Sequence, residues 1–165
     1  MFNIDYAAHF QSFPPELATL LIAMIPIGEL RAALPIALGV YHLPLWSAFL
    51  WSFVGNLLPI FLVLWLLEPI SKFLMRKSKI MNRFFTWLFS RTRRKFEKSS
   101  QKYGLLAALV LFVGIPLPIT GAWTGSIAAF LFNIPYKKAL LCLALGVALA
   151  GMIVSLVYYG ALQIF

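Results

Sequence analysis

The heptapeptide Ile-Pro-Ile-Gly-Glu-Leu-Arg at residues 25–31 decides how this chain folds. Proline lacks a backbone N–H and clashes with the preceding helical turn, and glycine weakens a helix, so the stretch interrupts any helix that enters it. Glu29 and Arg31 are the only two charges deep within the apolar parts of the chain. An ionised side chain at the centre of a bilayer costs roughly 2.5–3.5 kcal/mol. The stretch therefore predicts a helix break at which an acid and a base face a protein interior or a water-filled cavity.

The composition around this break is that of a membrane protein. Of 165 residues, 62% are hydrophobic and only 12% are charged, too few polar groups to cover a soluble domain. Apolar blocks occupy 17–67 and 103–165, and each is much longer than the ~20 residues that one helix needs to cross a bilayer. The sequence therefore predicts an all-α integral protein of the cytoplasmic (inner) membrane, with a single membrane domain over 1–165.

A second break, Gly-Ile-Pro-Leu-Pro-Ile-Thr-Gly at 114–121, interrupts the second block in a similar way. Counted from the first proline of each break, another proline follows after 18 residues in the first half (Pro44) and after 19 in the second (Pro135). A glycine follows each of those prolines by 11 residues, at Gly55 and Gly146. The shared order of spacings predicts an internal repeat.

Two topologies fit these breaks. In one, 17–43 and 104–134 are kinked helices that cross the bilayer, giving four spans. In the other, each is a re-entrant hairpin of two half-helices, because a half-helix of about 10 residues rises ~15 Å and reaches the middle of a ~30 Å core. Only the hairpins put Lys137 and Lys138 on the same side as the other basic residues and both termini outside, as the positive-inside rule requires. We therefore favour an inverted repeat, in which each hairpin is followed by a transmembrane helix, 45–67 or 139–160.

The segment 68–102 differs from both apolar blocks. It carries 11 of the 14 Lys and Arg residues, so it is predicted to be cytoplasmic. Apolar residues recur at helical spacing between the charges, which is typical of an amphipathic helix in the headgroup layer or of a linker helix packed on the spans. Anionic lipid explains the charge better than nucleic acid does. The residues predicted to contact lipid headgroups are Arg83, Arg91, Arg93, Arg94 and Lys95.

The candidate substrate or proton site lies at the two breaks. Glu29 and Arg31 are either a structural ion pair or the charged groups of the site. In the second break Thr120 could be the N-cap of a helix whose free N–H groups and dipole favour an anion. Asn56 either joins helices by a hydrogen bond or contributes to the site. The remaining predicted site residues are Pro26, Gly28, Pro116, Pro118 and Gly121.

The sequence contains no motif that indicates an enzyme. Cys142 is the only cysteine, and His9 and His42 are isolated, so no metal cluster or catalytic dyad can be composed from them. There is no glycine-rich nucleotide loop. The sequence predicts no enzyme, no cofactor and no metal.

The stretch from Ile25 to Pro35 resembles the signature of the small multidrug export family, and 112–133 is also similar to that family. That family in turn resembles the DedA superfamily of re-entrant membrane proteins, whose Pro-Ile-Pro-Ser-Glu motif is similar to Pro-Ile-Gly-Glu at 26–29. The resemblance implies that Glu29 is the acidic site residue and that the substrate is a polyprenyl-phosphate or phospholipid carrier. DedA arginines of the second hairpin are absent here, since Gly114 and the pair at 120–121 stand in their places.

Three functions remain open from these observations. The first is a secondary transporter that moves an anionic amphiphile, with Arg31 and the helix end near Thr120 holding the anion and Glu29 binding a coupling proton. The second is a proton-coupled exporter of cationic drugs, with Glu29 as the recognition group. The third is a membrane scaffold that acts through 68–102. Because four apolar segments form a thin wall around any polar path, a homodimer in contact with membrane lipids is expected.

Overall fold

A computed structural model describes residues 13–116 and 120–164, so Pro118 lies outside the described residues. Within those ranges the chain is helical and contains no strand. Two pairs of short helices each precede one long helix, and an additional helix connects the two halves. In chain order the helices are α1 (Pro15–Met24), α2 (Glu29–Gly39), α3 (Leu45–Lys77), α4 (Lys79–Tyr103), α5 (Leu105–Gly114), α6 (Ala122–Leu131) and α7 (Tyr136–Ile164).

The predicted breaks separate the short helices of each pair. α1 and α2 are separated by the four residues 25–28, and α5 and α6 by 115–121. The chain folds back at the first break, because Ile22 and Ala23 of α1 pack in one buried cluster with Ala33 of α2. A helix of 10 residues is about 15 Å long, so each short helix spans about half the thickness of a bilayer core.

Both helix pairs end in the same backbone conformation. His42 and Asn133 have φ angles of 53° and 50°, in the left-handed region, and each stands two residues before the proline that introduces a long helix. The next N–H groups, of Leu43 and Ile134, donate back to carbonyl groups in the last turns of α2 and α6, both at 2.9 Å. A left-handed residue followed by proline ends a helix sharply. The chain reversals near residues 43 and 134 therefore have a local cause.

The long helices α3 and α7 contain 33 and 29 residues, or about 50 and 44 Å. Both are apolar and long enough to cross a membrane. The sequence predicts a transmembrane helix over 45–67, whereas α3 continues through Lys77. Basic residues in its last turn favour the helix because they oppose the dipole, and the Lys72–Glu68 ion pair at 2.6 Å joins successive turns.

Glycines allow close contact between each long helix and the first short helix of its own half. A Cβ on Gly55 would collide with the carbonyl oxygen of Leu20 and lie 2.9 Å from the Cβ of Ala23. A Cβ on Gly146 would lie 2.9 Å from the carbonyl oxygen of Val110 and 2.7 Å from the Cβ of Val113. In both halves the contacted residues stand six and three positions before the first proline of the break. The second short helices lie between the long ones, so that α2 and α6 each pack on both α3 and α7.

The two pairs open toward opposite ends of the bundle. Gly39, at the end of α2, faces the Tyr158 ring near the end of α7, and Phe49, near the start of α3, faces Gly151. These contacts place the open end of the first pair where α3 begins and α7 ends. The second pair ends at Leu131, just before α7 begins at Tyr136, so its open end lies where α7 begins.

The amphipathic helix α4 is packed on the second pair. Phe96 is fully buried, with its ring 5.6 Å from that of Phe112 on α5 and 4.9 Å from that of Phe132. Phe89 makes a further ring contact with Phe130 of α6, at 5.8 Å. The outer face near the start of α4 exposes large apolar side chains, namely Ile80, Phe84 and Trp87.

Candidate functional site

The carboxylate of Glu29 lies on the N-terminus of α6. Its Oε2 accepts a hydrogen bond from the N–H of Ala122 at 3.2 Å, and its Oε1 accepts one from the N–H of Trp123 at 3.3 Å. The first N–H groups of a helix lack intrahelical partners, and the helix dipole adds a favourable interaction with an anion of up to about 2 kcal/mol. Glu29 is only 7% exposed, so these donors compensate a buried charge. The acid of the first break therefore binds to the helix of the second.

An unusual backbone conformation makes this contact possible. Glu29 has a φ angle of 51°, which is uncommon for a residue other than glycine. The side chains of Glu29 and Arg31 are therefore not related by regular helical geometry. In a regular helix, residues two apart do not share a face, but here both side chains line one cavity and interact electrostatically.

The residue at the N-cap of α6 is Gly121, so the prediction that Thr120 is the N-cap is wrong. A Cβ on Gly121 would lie 2.6 Å from Oε1 of Glu29 and closer still to Oε2. Only glycine leaves room for the carboxylate, which itself caps the helix. The Thr120 hydroxyl instead donates to the carbonyl of Ile115 at 3.3 Å. The Thr124 hydroxyl accepts from the N–H of Gly121 at 3.0 Å and fixes the first turn.

The long helix α3 contributes neutral polar groups behind the carboxylate. Asn56 is 2% exposed, and its side-chain amide donates to Glu29. Its carbonyl Oδ1 has no hydrogen-bond partner among the described residues. The same holds for the hydroxyl of Ser52, which is fully buried one turn earlier on α3. Buried polar atoms without partners are rare in folded proteins and mark a place where an additional polar group can bind.

A cavity of about 290 Å³ lies between the two breaks. Glu29 is buried in its wall, Arg31 is half-buried, and Ile27 at the tip of the first break is 80% exposed. The cavity thus has a polar interior and an apolar margin. The lining residues are Pro26, Ile27, Gly28, Glu29, Arg31, Thr120, Gly121, Trp123 and Thr124.

Most of the site residues named from the sequence are brought together here. Pro26, Gly28, Glu29, Arg31, Thr120 and Gly121 line the cavity, and Asn56 reaches it through its bond to Glu29. Pro116 lies in the second break, directly after Ile115. Trp123 and Thr124 also line the cavity and were not predicted from the sequence. Their position two and three residues after a Thr-Gly helix start is the signal that could have identified them.

The five basic residues predicted to contact headgroups have different surroundings on α4. Arg94 and Lys95 are exposed, and Arg83 lines a shallow groove with Trp87. Arg91 lies over the Trp87 ring at 5.1 Å, and Arg93 lies over the Phe132 ring at 5.9 Å. Such cation–π contacts orient a guanidinium and bury part of its stem.

Comparison with known proteins gives one match. The sequence profile of the family described as "Putative small multi-drug export protein" matches residues 29–153, which include Glu29, the second break and most of α7. No curated protein and no solved structure matches the chain significantly.

Proposed function

Because this chain belongs to the small multi-drug export protein family, a family of membrane transporters by its name, we propose that it is a secondary transporter of an anionic amphiphile. The substrate class is a lipid that carries a phosphate, such as a polyprenyl-phosphate or a phospholipid. The observation that carries the proposal is the carboxylate of Glu29 on the N-terminus of α6, beside Arg31 in one cavity.

The geometry supports coupling to a proton. The N–H groups of Ala122 and Trp123 form an anion site that the chain's own carboxylate occupies. A proton on Glu29 removes its charge, weakens both hydrogen bonds and leaves the helix end and Arg31 available to a phosphate. Arg31 is the only charged group of the described residues that faces this carboxylate, since α6 carries no ionisable side chain and α3 presents Asn56. Substrate anion and deprotonated Glu29 therefore compete for one position, so the phosphate enters together with a proton.

The margin of the cavity supports an amphiphile rather than a water-soluble anion. Pro26 and Ile27 are exposed at the tip of the first break, and both line the cavity. An apolar tail can remain in lipid against these residues while the headgroup lies at Arg31. This arrangement keeps the long chain in lipid, since the cavity is too small to hold it.

We further propose that the two helix pairs are re-entrant hairpins in an inverted repeat, as the DedA resemblance implies. The matching glycine contacts at Gly55 and Gly146, the left-handed residues before both prolines, and the opposite opening of the pairs support this topology. The basic helix α4 then faces the cytoplasm and both termini lie outside. A homodimer would thicken the wall around the site.

The family name favours a second candidate, export of cationic drugs. In that mechanism Glu29 would pair with the cation. Its two carboxylate oxygens, however, already accept from the backbone of α6, and Arg31 adds a positive charge to the cavity. The local field therefore favours an anion over a cation.

Transport in proteoliposomes tests the two candidates. A fluorescent phosphatidic acid, its uncharged diacylglycerol analogue and ethidium serve as anionic, neutral and cationic probes. We expect flux of phosphatidic acid alone, driven by an inward proton gradient. Arg31→Ala should reduce flux at least tenfold, and Glu29→Gln should abolish its dependence on the gradient. The matched control Arg76→Ala, which removes an exposed charge at the end of α3, should transport normally. Ethidium flux that requires Glu29 would overturn the anion assignment.

A further inference from the structure

A second cavity lies between α4, α5 and α6, on the basic side of the bundle. Its volume is about 280 Å³. Arg91 is half-buried in it and Lys95 is exposed at its margin, while Thr92 and Phe112 are buried. No acidic side chain of the described residues is among those that line it. The cavity thus combines two cations with apolar walls and no counter-charge.

The two cavities share one residue. Thr124, in the first turn of α6, lines both the cavity with Glu29 and Arg31 and the cavity with Arg91 and Lys95. Its hydroxyl is tied to Gly121, accepting from the N–H at 3.0 Å and donating to the carbonyl at 3.2 Å. The first turn of α6 therefore separates the two cavities.

Arg91 is held in a defined orientation. Its guanidinium lies 5.1 Å from the centre of the Trp87 ring, and both residues line the cavity. A guanidinium binds phosphate through two parallel hydrogen bonds, and an ammonium one turn away adds a point charge. The aromatic groups of Trp87 and Phe112 offer an apolar surface next to these cations.

We propose that this second cavity is a binding site for a phosphate group carried by an amphiphile, and that it receives the headgroup after the site at Glu29 and Arg31, on the cytoplasmic side. Arg91 and Lys95 hold the phosphate, Trp87 and Phe112 contact the adjoining carbons, and Thr124 is a positioning residue between the two sites. The order in which the two sites bind the headgroup rests on the proposed function, whereas phosphate binding at Arg91 and Lys95 does not.

Equilibrium binding of dioctanoyl phosphatidic acid to the detergent-solubilised full chain tests the proposal. Titration calorimetry should give at least a tenfold weaker affinity for the double variant Arg91→Ala/Lys95→Ala than for wild type. The matched control Arg76→Ala/Lys77→Ala removes the same charge from the end of α3, outside the cavity, and should bind as wild type does. The charge-conserving exchange Arg91→Lys/Lys95→Arg should recover most of the affinity. Equal affinity of the double variant and the control would overturn the site.

Further arms identify the source of the phosphate and separate the two proposals. Displacement of the lipid by inorganic phosphate at equal concentration assigns the affinity to the phosphate alone, and failure to displace it assigns part of the affinity to the lipid. Arg31→Ala should reduce flux at least tenfold but retain binding at Arg91 and Lys95. If Arg31→Ala retains flux, the proposed function fails while the second site stands. If the double variant binds normally while Arg31→Ala loses flux, the second site fails alone.

Thr124→Val should slow flux more than Thr124→Ser without weakening binding, since only valine lacks the hydroxyl.

Discussion

The glycine contacts between the long and short helices give a sharp stability prediction. In Gly55→Ala the new Cβ would overlap the backbone oxygen of Leu20, which cannot rotate away as a flexible side chain can. Forced overlap in a packed interior costs typically about 1–3 kcal/mol, and the rigid partner places this case near 3. Alanine is about 1 kcal/mol more favourable than glycine in a helix, so the net loss is about 2 kcal/mol.

Gly160→Ala is the matched control. Gly160 also lies in a long helix, but a Cβ there meets nothing within 4 Å. That variant should therefore gain about 1 kcal/mol from helix propensity alone. The two variants should differ by about 3 kcal/mol in the free energy of unfolding, or roughly 6–12 °C in Tm.

The single cysteine provides the assay. Cys142 is 7% exposed, so a fluorogenic maleimide reacts with it only on unfolding, and the fluorescence of a heated detergent sample reports Tm. Gly146→Ala should behave as Gly55→Ala does, but Gly146 lies one turn from Cys142, so tryptophan fluorescence should follow that variant. A Tm of Gly55→Ala equal to or above that of Gly160→Ala would refute the close packing of α1 on α3.

Three further predictions concern the site and the basic helix. Gly121→Ala should displace the Glu29 carboxylate from α6 and change proton-driven flux in proteoliposomes as Glu29→Gln does, while Gly160→Ala transports normally. Phe96→Ala removes a fully buried ring and should destabilise by about 3–5 kcal/mol, whereas Phe84→Ala, at a residue 48% exposed, should change Tm little. Lys72→Ala breaks an exposed ion pair and should lower the free energy of unfolding by less than about 1 kcal/mol.

The positions of proline in the sequence predicted where the helices are interrupted. Pro26 and Pro116 lie in breaks between short helices, and Pro44 and Pro135 come directly before the long ones. Proline favours an interruption but does not force one, since Pro35 lies inside α2 and Pro59 and Pro69 lie inside α3. The end of α3 was missed, because a fall in hydropathy after residue 67 marks the end of an apolar segment and not of a helix.

Most residues that line the cavity were named from the sequence, but the contact between Glu29 and α6 was not. The cost of burying charge identified Glu29 and Arg31, and the free N–H groups of α6 identified a position for an anion. That the anion is Glu29 itself depends on its left-handed backbone and on the missing side chain of Gly121. The contact joins residues that stand more than 90 positions apart in the sequence, so local patterns do not reveal it. The preference of threonine for N-caps pointed instead to Thr120.

Site-directed labelling on intact cells tests the central claim, that two broken helix pairs enter the membrane from opposite faces and meet. In a Cys142→Ala background, an impermeant maleimide is applied to single variants at both ends of α7 and at the end of α3. We expect Gly160→Cys to react from outside, and Lys138→Cys and Arg76→Cys to react only after the cells are opened. Reaction of Lys138→Cys from outside, with Gly160→Cys protected, would mean that the broken helices cross the membrane fully and would contradict the account.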